Sequence, residues 1–254
     1  MNSCKVGDID IGSGIPKICV PIIERKREDI IKYAKKLKRY NPDIVEWRAD
    51  FYENVLEVNQ TLKTIQAIKG ELEHIPLIFT VRSNNEGGNL KIDSKEYIEL
   101  IKIVSKLKFV DIVDVEIANI RKEKVCVLEE IKENCKLILS YHNFKQTPSV
   151  EDMEKIILNM EYFNPDIYKI AVMPLNKSDN INILQLAVDL ENRLKKPVII
   201  ISMGKFGIAS RICGEIFSSS ITFASLEKSS APGQIQIDKL RMILEIIHEN
   251  YFKQ

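Results

Sequence analysis

Ile44-Val45-Glu46-Trp47-Arg48-Ala49-Asp50 decides how this chain folds. Side chains alternate across an extended segment, so Val45, Trp47 and Ala49 share one face while Glu46, Arg48 and Asp50 share the other. The apolar set belongs under a covering helix. The charged set then points into the interior of a barrel.

The same parity recurs outward along the chain. Thr80 and Arg82 oppose Phe79 and Val81; Asp114 and Glu116 oppose Val113 and Val115; Ser140 and His142 oppose Leu139 and Tyr141; Lys169 opposes Tyr168, Ile170 and Val172. β-Branched runs fall at 17–23, 44–50, 77–82, 110–117, 137–142, 167–173, 198–204 and 221–226. Amphipathic stretches such as 27–40, 94–107, 122–133, 150–163 and 182–194 lie between them. A doubly wound open sheet and a closed barrel both accept this alternation. About eight units in 254 residues, and no G-x-G-x-x-G after the first run, favour the α/β barrel. The expectation is a single (β/α)8 TIM barrel, one domain over residues 1–254. Val6, Ile9 and Ile11, set among glycines, predict a short N-terminal β-hairpin that closes the bottom of the barrel.

Composition narrows the function classes. Lys and Arg number 37 against 36 Asp and Glu, a net charge of +1, which removes the electrostatic case for a nucleic-acid or polybasic membrane partner. The 45% hydrophobic and 29% charged content is that of a globular chain. No apolar run is long enough to span a bilayer, and the first residues lack the apolar core of a secretory signal. Five scattered cysteines without a C-x-x-C pair fit reduced thiols, so a cytoplasmic protein is expected.

Five strands thus send ionisable groups inward, most of them near the carboxyl ends where barrel active sites sit. Lys169 has Ile167, Ala171 and Met173 as same-face neighbours. An ammonium in that apolar wall, with Arg48 and Arg82 nearby, is pushed towards a nucleophilic free amine. His142 stands one strand earlier at a carboxyl end, whereas His74 and His248 fall at helix ends in polar surroundings. Glu46 and Arg48 read equally well as an inward ion pair that only holds the barrel together. Asp114 and Glu116 carry no more than that on spacing alone. Together these groups point to carbonyl chemistry through a Schiff base, with histidine moving protons, arginines binding a carboxylate or hydroxyls, and no metal or cofactor. Aldol cleavage and dehydration stay equally open.

Six ordered motifs carry a resemblance: Glu46-Trp47-Arg48-Ala49-Asp50, Thr80-Val81-Arg82 with Glu86-Gly87-Gly88, Ser140-Tyr141-His142-Asn143-Phe144, Lys169 to Pro174, Ser202-Met203-Gly204-Lys205 with Ser210-Arg211, and Ser230-Ala231-Pro232-Gly233-Gln234. In order and spacing they resemble the type I 3-dehydroquinate dehydratases of the shikimate pathway, the route to aromatic amino acids. The resemblance implies a carbon–oxygen lyase that converts 3-dehydroquinate to 3-dehydroshikimate and water. Lys169 takes the position of the Schiff-base lysine and His142 that of the general acid/base. Glu86 matches the residue that orients the histidine and stabilises its protonated form. Asp114 extends that network with a lower rank. Arg211 matches the residue gripping the substrate carboxylate, and Glu46, Arg48 and Arg82 match those meeting ring hydroxyls. Met203 and Phe223 look like pocket walls, and Ser230 and Gln234 match a mobile lid. A homodimer is implied by likeness alone. Asn143, where some relatives have aspartate, is a departure that touches no assigned role.

Two rivals remain. A Schiff-base aldolase needs a phosphate grip, for which Gly204-Lys205-Phe206-Gly207 before a helix is a weak candidate. A non-catalytic barrel would tolerate loss of the inward Lys169 and His142, yet both are present.

Overall fold

The structure, a computed structural model, describes residues 3–121, 124–251 and 253. Cys4–Val6 (β1) and Ile9–Ile11 (β2) pair antiparallel as the expected hairpin. Eight parallel strands follow: Lys17–Ile22 (β3), Ile44–Arg48 (β4), Leu77–Thr80 (β5), Ile112–Glu116 (β6), Lys136–Asn143 (β7), Ile167–Val172 (β8), Val198–Ser202 (β9) and Ile221–Ser225 (β10). A two-residue strand, Ile235–Gln236 (β11), adds to β10. Among the described residues, eight α-helices alternate with the strands: Arg27–Lys38 (α1), Val58–Leu72 (α2), Ser94–Ser105 (α3), Val125–Lys132 (α4), Val150–Tyr162 (α5), Lys177–Arg193 (α6), Ile208–Ile212 (α7) and Ile237–Tyr251 (α8). The order is that of a (β/α)8 barrel. Lys122 and Glu123, where the fourth-helix stretch was expected to begin, lie outside the described residues. No helix among the described residues is long and apolar enough to cross a membrane.

The strand parity holds. Val45, Trp47, Phe79, Val113, Val115, Leu139, Tyr168, Ile170 and Val172 join the core between strands and helices. Trp47 is fully buried there, with its ring centroid 5.6 Å from Phe79 and 5.8 Å from Tyr52. The opposite face builds a second core inside the barrel. Seven strands contribute an isoleucine to its lower part (Ile44, Ile78, Ile112, Ile138, Ile167, Ile199 and Ile221), and hairpin residues Cys4, Val6 and Ile11 pack among them. This apolar floor lifts every inward ionisable group towards the carboxyl ends.

Helices α2, α7 and α8 fall outside the amphipathic stretches named from the sequence. The buried face of α2 carries Thr61 and Thr64, polar residues that hide the helical period. Their hydroxyls are satisfied locally, donating to Val55 O and Gln60 O at 2.8 Å each.

At the bottom rim, Asp43, Asp111 and Asp166 just precede β4, β6 and β8. Each accepts the backbone N–H of Ile18, Leu77 or Leu137 on the preceding strand, at 2.7–2.9 Å. Asp43 and Asp166 sit in the same Asn-Pro-Asp-Ile sequence, and Asn41 and Asn164 both adopt positive φ there. Ser219 does the same work for β9, its hydroxyl accepting from Ile200 N at 2.9 Å.

The β9–β10 seam is joined at its lower end by a bridge between Val198 and Ser219 and by Ser220 N donating to Val198 O at 2.8 Å. Higher up, the short helix α7 stands in for strand pairing. Ser210 Oγ takes the Ser202 N–H from β9 at 2.9 Å, and Thr222 Oγ1 on β10 donates to Arg211 O at 2.8 Å. That wedge brings Arg211 into the barrel mouth.

Candidate active site

A cavity opens at the carboxyl ends of the strands, where barrel active sites sit. Its lining includes Glu46, Arg48, Arg82, His142, Lys169, Met203, Arg211, Phe223, Ser230 and Gln234. The residues assigned a role by sequence therefore border it except Glu86, which lies behind His142, and Asp114, which lies behind Lys169. Phe144, two residues past His142, also lines it; the strand parity of the motif Ser140 to Phe144 already carried that signal.

Lys169 is 3% exposed. Its amine donates to Asp114 Oδ2 at 2.7 Å, lies 3.6 Å from Glu46 Oε1, and sits 4.7 Å from the Phe223 ring centroid. The expected wall of apolar and cationic neighbours is thus corrected: two carboxylates meet the amine, because Asp114 reaches it from two strands away. Burial opposes the ionised form of Asp114, but Arg82 and Lys169 outweigh it and hold its carboxyl well below the usual range. Asp114 is the first partner of Lys169, a higher place than its sequence spacing implied.

Arg48 does not pair with Glu46. The strand ends at Arg48 and the chain turns through Ala49–Phe51, so the Asp50 carboxylate comes back against the guanidinium, accepting from Nε at 2.8 Å and Nη2 at 3.0 Å. Glu46 instead accepts from Thr80 Oγ1 at 2.9 Å. Arg82 is held by Asp114 at 3.0 Å and by Glu116 and Ser140 at 3.1 Å each.

His142 faces the cavity while Nδ1 lies 2.9 Å from Glu86 Oε2, which also accepts the His142 backbone N–H at 3.0 Å. An oxygen taking two N–H donors fixes the Nδ1–H tautomer, so Nε2 keeps its lone pair. Burial, then Arg82 and Lys169, push the imidazole pKa well below 6.5 and keep the ring neutral. Burial pushes Glu86 up to about 8, with Glu116 and Asp114 adding to it against Arg82. A proton on Glu86 belongs on Oε1, which is buried with no hydrogen-bond partner among the described residues. Glu86 thus orients the ring, whereas its surroundings disfavour the imidazolium.

The Glu86 turn depends on the two glycines after it. Gly87 has φ of 81°, and a Cβ there would meet the Phe144 ring at 2.4 Å; a Cβ on Gly88 would lie 1.9 Å from Arg82 O. Backbone cannot yield as a side-chain tip can. Gly88→Ala is expected to cost roughly 1–3 kcal/mol, read as a lowered Tm, and to displace Glu86 from His142.

Arg211 is a buried cation without an acidic partner among the described residues. It is 2% exposed, its Nη atoms donate only to Phe223 O at 3.3 Å and Pro232 O at 2.9 Å, and Nε has no partner. Burial alone lowers its pKa to about 10. A guanidinium so placed at a cavity wall is a site for an anion. The loop at 229–234 folds over this end: Pro232 O also accepts Gly204 N at 3.1 Å, while Ser230 and Gln234 bond each other twice at 2.9 Å. Lys205 stays outside the cavity, exposed and 5.0 Å from the Phe206 ring centroid. The phosphate-grip reading therefore has no support in the site.

Parallel strands that collect their ionisable side chains above an apolar floor define a (β/α)8 barrel whose carboxyl-terminal face gathers a buried lysine, a histidine and an arginine with no acidic partner among the described residues. Within that class, the chain belongs to the type I 3-dehydroquinase family, whose sequence model matches residues 18–251. It is 40% identical over 250 residues to the 3-dehydroquinate dehydratase of Clostridium botulinum, covering 97% of this chain and 98% of that one. The type I 3-dehydroquinate dehydratase of Clostridium difficile, solved with covalently modified comenic acid, superposes with a TM-score of 0.93 at 38% identity over 98% of both chains. The 3-dehydroquinate dehydratase of Geobacillus kaustophilus gives 0.94 at 33% identity over the whole of both chains.

Proposed function

We propose that this protein is a carbon–oxygen lyase that dehydrates 3-dehydroquinate to 3-dehydroshikimate through a Schiff base on Lys169. The observation that carries the reading is the buried Lys169 amine sharing one cavity with His142 and the counter-ion-free Arg211. A substrate with a ketone and a carboxylate answers both cations. Lys169 Nζ attacks the ketone carbon, and loss of the ketone oxygen as water leaves an iminium. The iminium withdraws electrons from the adjacent carbon, where His142 Nε2 removes a proton. The resulting enamine expels the hydroxyl of the next carbon, and the histidine returns its proton so that water departs. Hydrolysis of the new iminium consumes one water and frees Lys169, so the net product is one enone and one water. Glu86 holds the tautomer, Glu46, Arg48 and Arg82 meet ring hydroxyls, and Met203 and Phe223 wall the pocket. Ser230 and Gln234 close it.

The test is a turnover assay on 3-dehydroquinate that follows the conjugated enone in the ultraviolet. No absorbance rise, or equal turnover of phosphorylated sugars, overturns the reading. By family likeness the proposal extends to one domain over residues 1–254, a homodimer and a cytoplasmic location; gel filtration at twice the monomer mass checks the dimer.

Arg211→Ala leaves the substrate carboxylate without its charged partner. A charge-assisted hydrogen bond is worth roughly 1.5–3 kcal/mol, so KM is expected to rise about 10–150-fold while borohydride still traps an adduct at saturating substrate. An unchanged KM would place the carboxylate elsewhere.

A further inference from the structure

Asp50 does not line the cavity, yet it holds two residues that do, Arg48 and Arg82, and a third, Asn89, beyond the Glu86 turn. Its buried Oδ1 accepts Arg48 Nε at 2.8 Å and Arg82 N at 3.3 Å, and its Oδ2 accepts Arg48 Nη2 at 3.0 Å and Asn89 N at 3.1 Å. Arg82 and Asn89 bracket the loop that carries Glu86. One carboxylate therefore clamps both ends of that loop and a cavity-lining guanidinium. Glu116 holds the same loop from the far side, accepting Ser83 N at 2.8 Å, Ser83 Oγ at 2.6 Å and Arg82 Nη1 at 3.1 Å. Burial works against an ionised Asp50, but Arg48 and the N–H donors outweigh it and keep its pKa below the usual carboxylate range.

We propose that Asp50 is a positioning residue for the dehydration assigned above: it aims Arg48 into the cavity and sets the Glu86 loop so that Glu86 fixes the tautomer of His142. The charged groups facing His142 and Glu86 are Arg82, Lys169, Asp114, Glu116 and Arg48. Of these, Asp50→Asn strips a counter-ion from Arg48 alone. The amide also turns donors towards N–H groups that need acceptors, which loosens the loop at both ends.

The decisive measurement is the nitrogen spectrum of isotope-labelled histidine side chains, which needs no substrate. The unsubstituted protein should show His142 as the Nδ1–H tautomer, Glu86→Ala should disturb it by removing the acceptor, and Asp50→Asn should disturb it in the same direction. Kinetically, Asp50→Asn should lower kcat on the order of tenfold, short of the ~10²-fold that a 1 Å misplacement can cost. That loss should persist beside Arg48→Ala and vanish beside Glu86→Ala. A His142 spectrum unmoved by Asp50→Asn overturns the proposal, as does a kcat loss of equal size with and without Glu86. Should Asp50→Asn fail to fold, Asp50→Asn with Arg48→Met removes both charges together and supports the same comparison. A chain that leaves 3-dehydroquinate untouched overturns the reaction reading alone, because the spectrum still decides the role of Asp50.

Discussion

Lys169→Ala is expected to abolish turnover and borohydride labelling together. In the proposed route the amine is the nucleophile, so its removal costs the covalent path itself and not only a proton transfer. The loss should exceed the ~10²–10⁴-fold worth of general acid/base catalysis. The same change leaves Asp114 and Glu46 without the ammonium between them, and breaking a buried pair from one side costs ~3–5 kcal/mol. Lost activity could then reflect lost folding. Lys169→Arg separates the two: a guanidinium keeps the positive charge beside Asp114 but forms no iminium. It should retain far more of the Tm than Lys169→Ala and yet show neither labelling nor enone. Borohydride should fix substrate-derived mass on Lys169 in the unsubstituted protein. Mass on Lys205 or Lys228 instead would sink the assignment.

His142→Ala should give the opposite partition. The amine remains, so the adduct forms and can be trapped, while product appears roughly 10²–10⁴-fold more slowly. The pH dependence follows from the same surroundings. A base acts when unprotonated, and burial, Arg82 and Lys169 keep the His142 pKa well below 6.5. Turnover should therefore hold as pH falls through 6.5 and decline only on further acidification. A decline centred at or above 6.5, or near-normal turnover by His142→Ala, would show that another group moves the proton. Glu86→Ala should follow the same direction more mildly, since Glu86 orients the base without transferring the substrate proton.

Strand identity, inward parity and the barrel were legible because each rests on local periodicity. A residue two positions along a strand shares its face whatever the rest of the chain does. That rule placed Lys169, His142 and Arg82 at one cavity from sequence alone. The pairings at those residues were not legible. Asp50 pairs with Arg48 because the strand stops at Arg48 and a turn reverses the carboxylate, so strand parity does not apply to it. The period of α2 is masked because Thr61 and Thr64 on its buried face are satisfied by nearby carbonyls, Val55 O just before the helix and Gln60 O within it.

The sequence by itself determined which side chains enter the barrel, since a period of two is a property of the extended chain. It also determined the family, through motifs whose order is written along the chain. Only the tertiary structure decided who meets whom inside. Register puts Asp114 opposite Ile138 and Ser140 opposite Lys169, which carries the Asp114 carboxylate across an intervening strand to the lysine amine. The β9–β10 seam, filled by α7 in place of strand pairing, leaves Arg211 buried with no acidic partner among the described residues. Charge neighbours, and with them proton affinities, depend on distances across the closed barrel that no local pattern encodes.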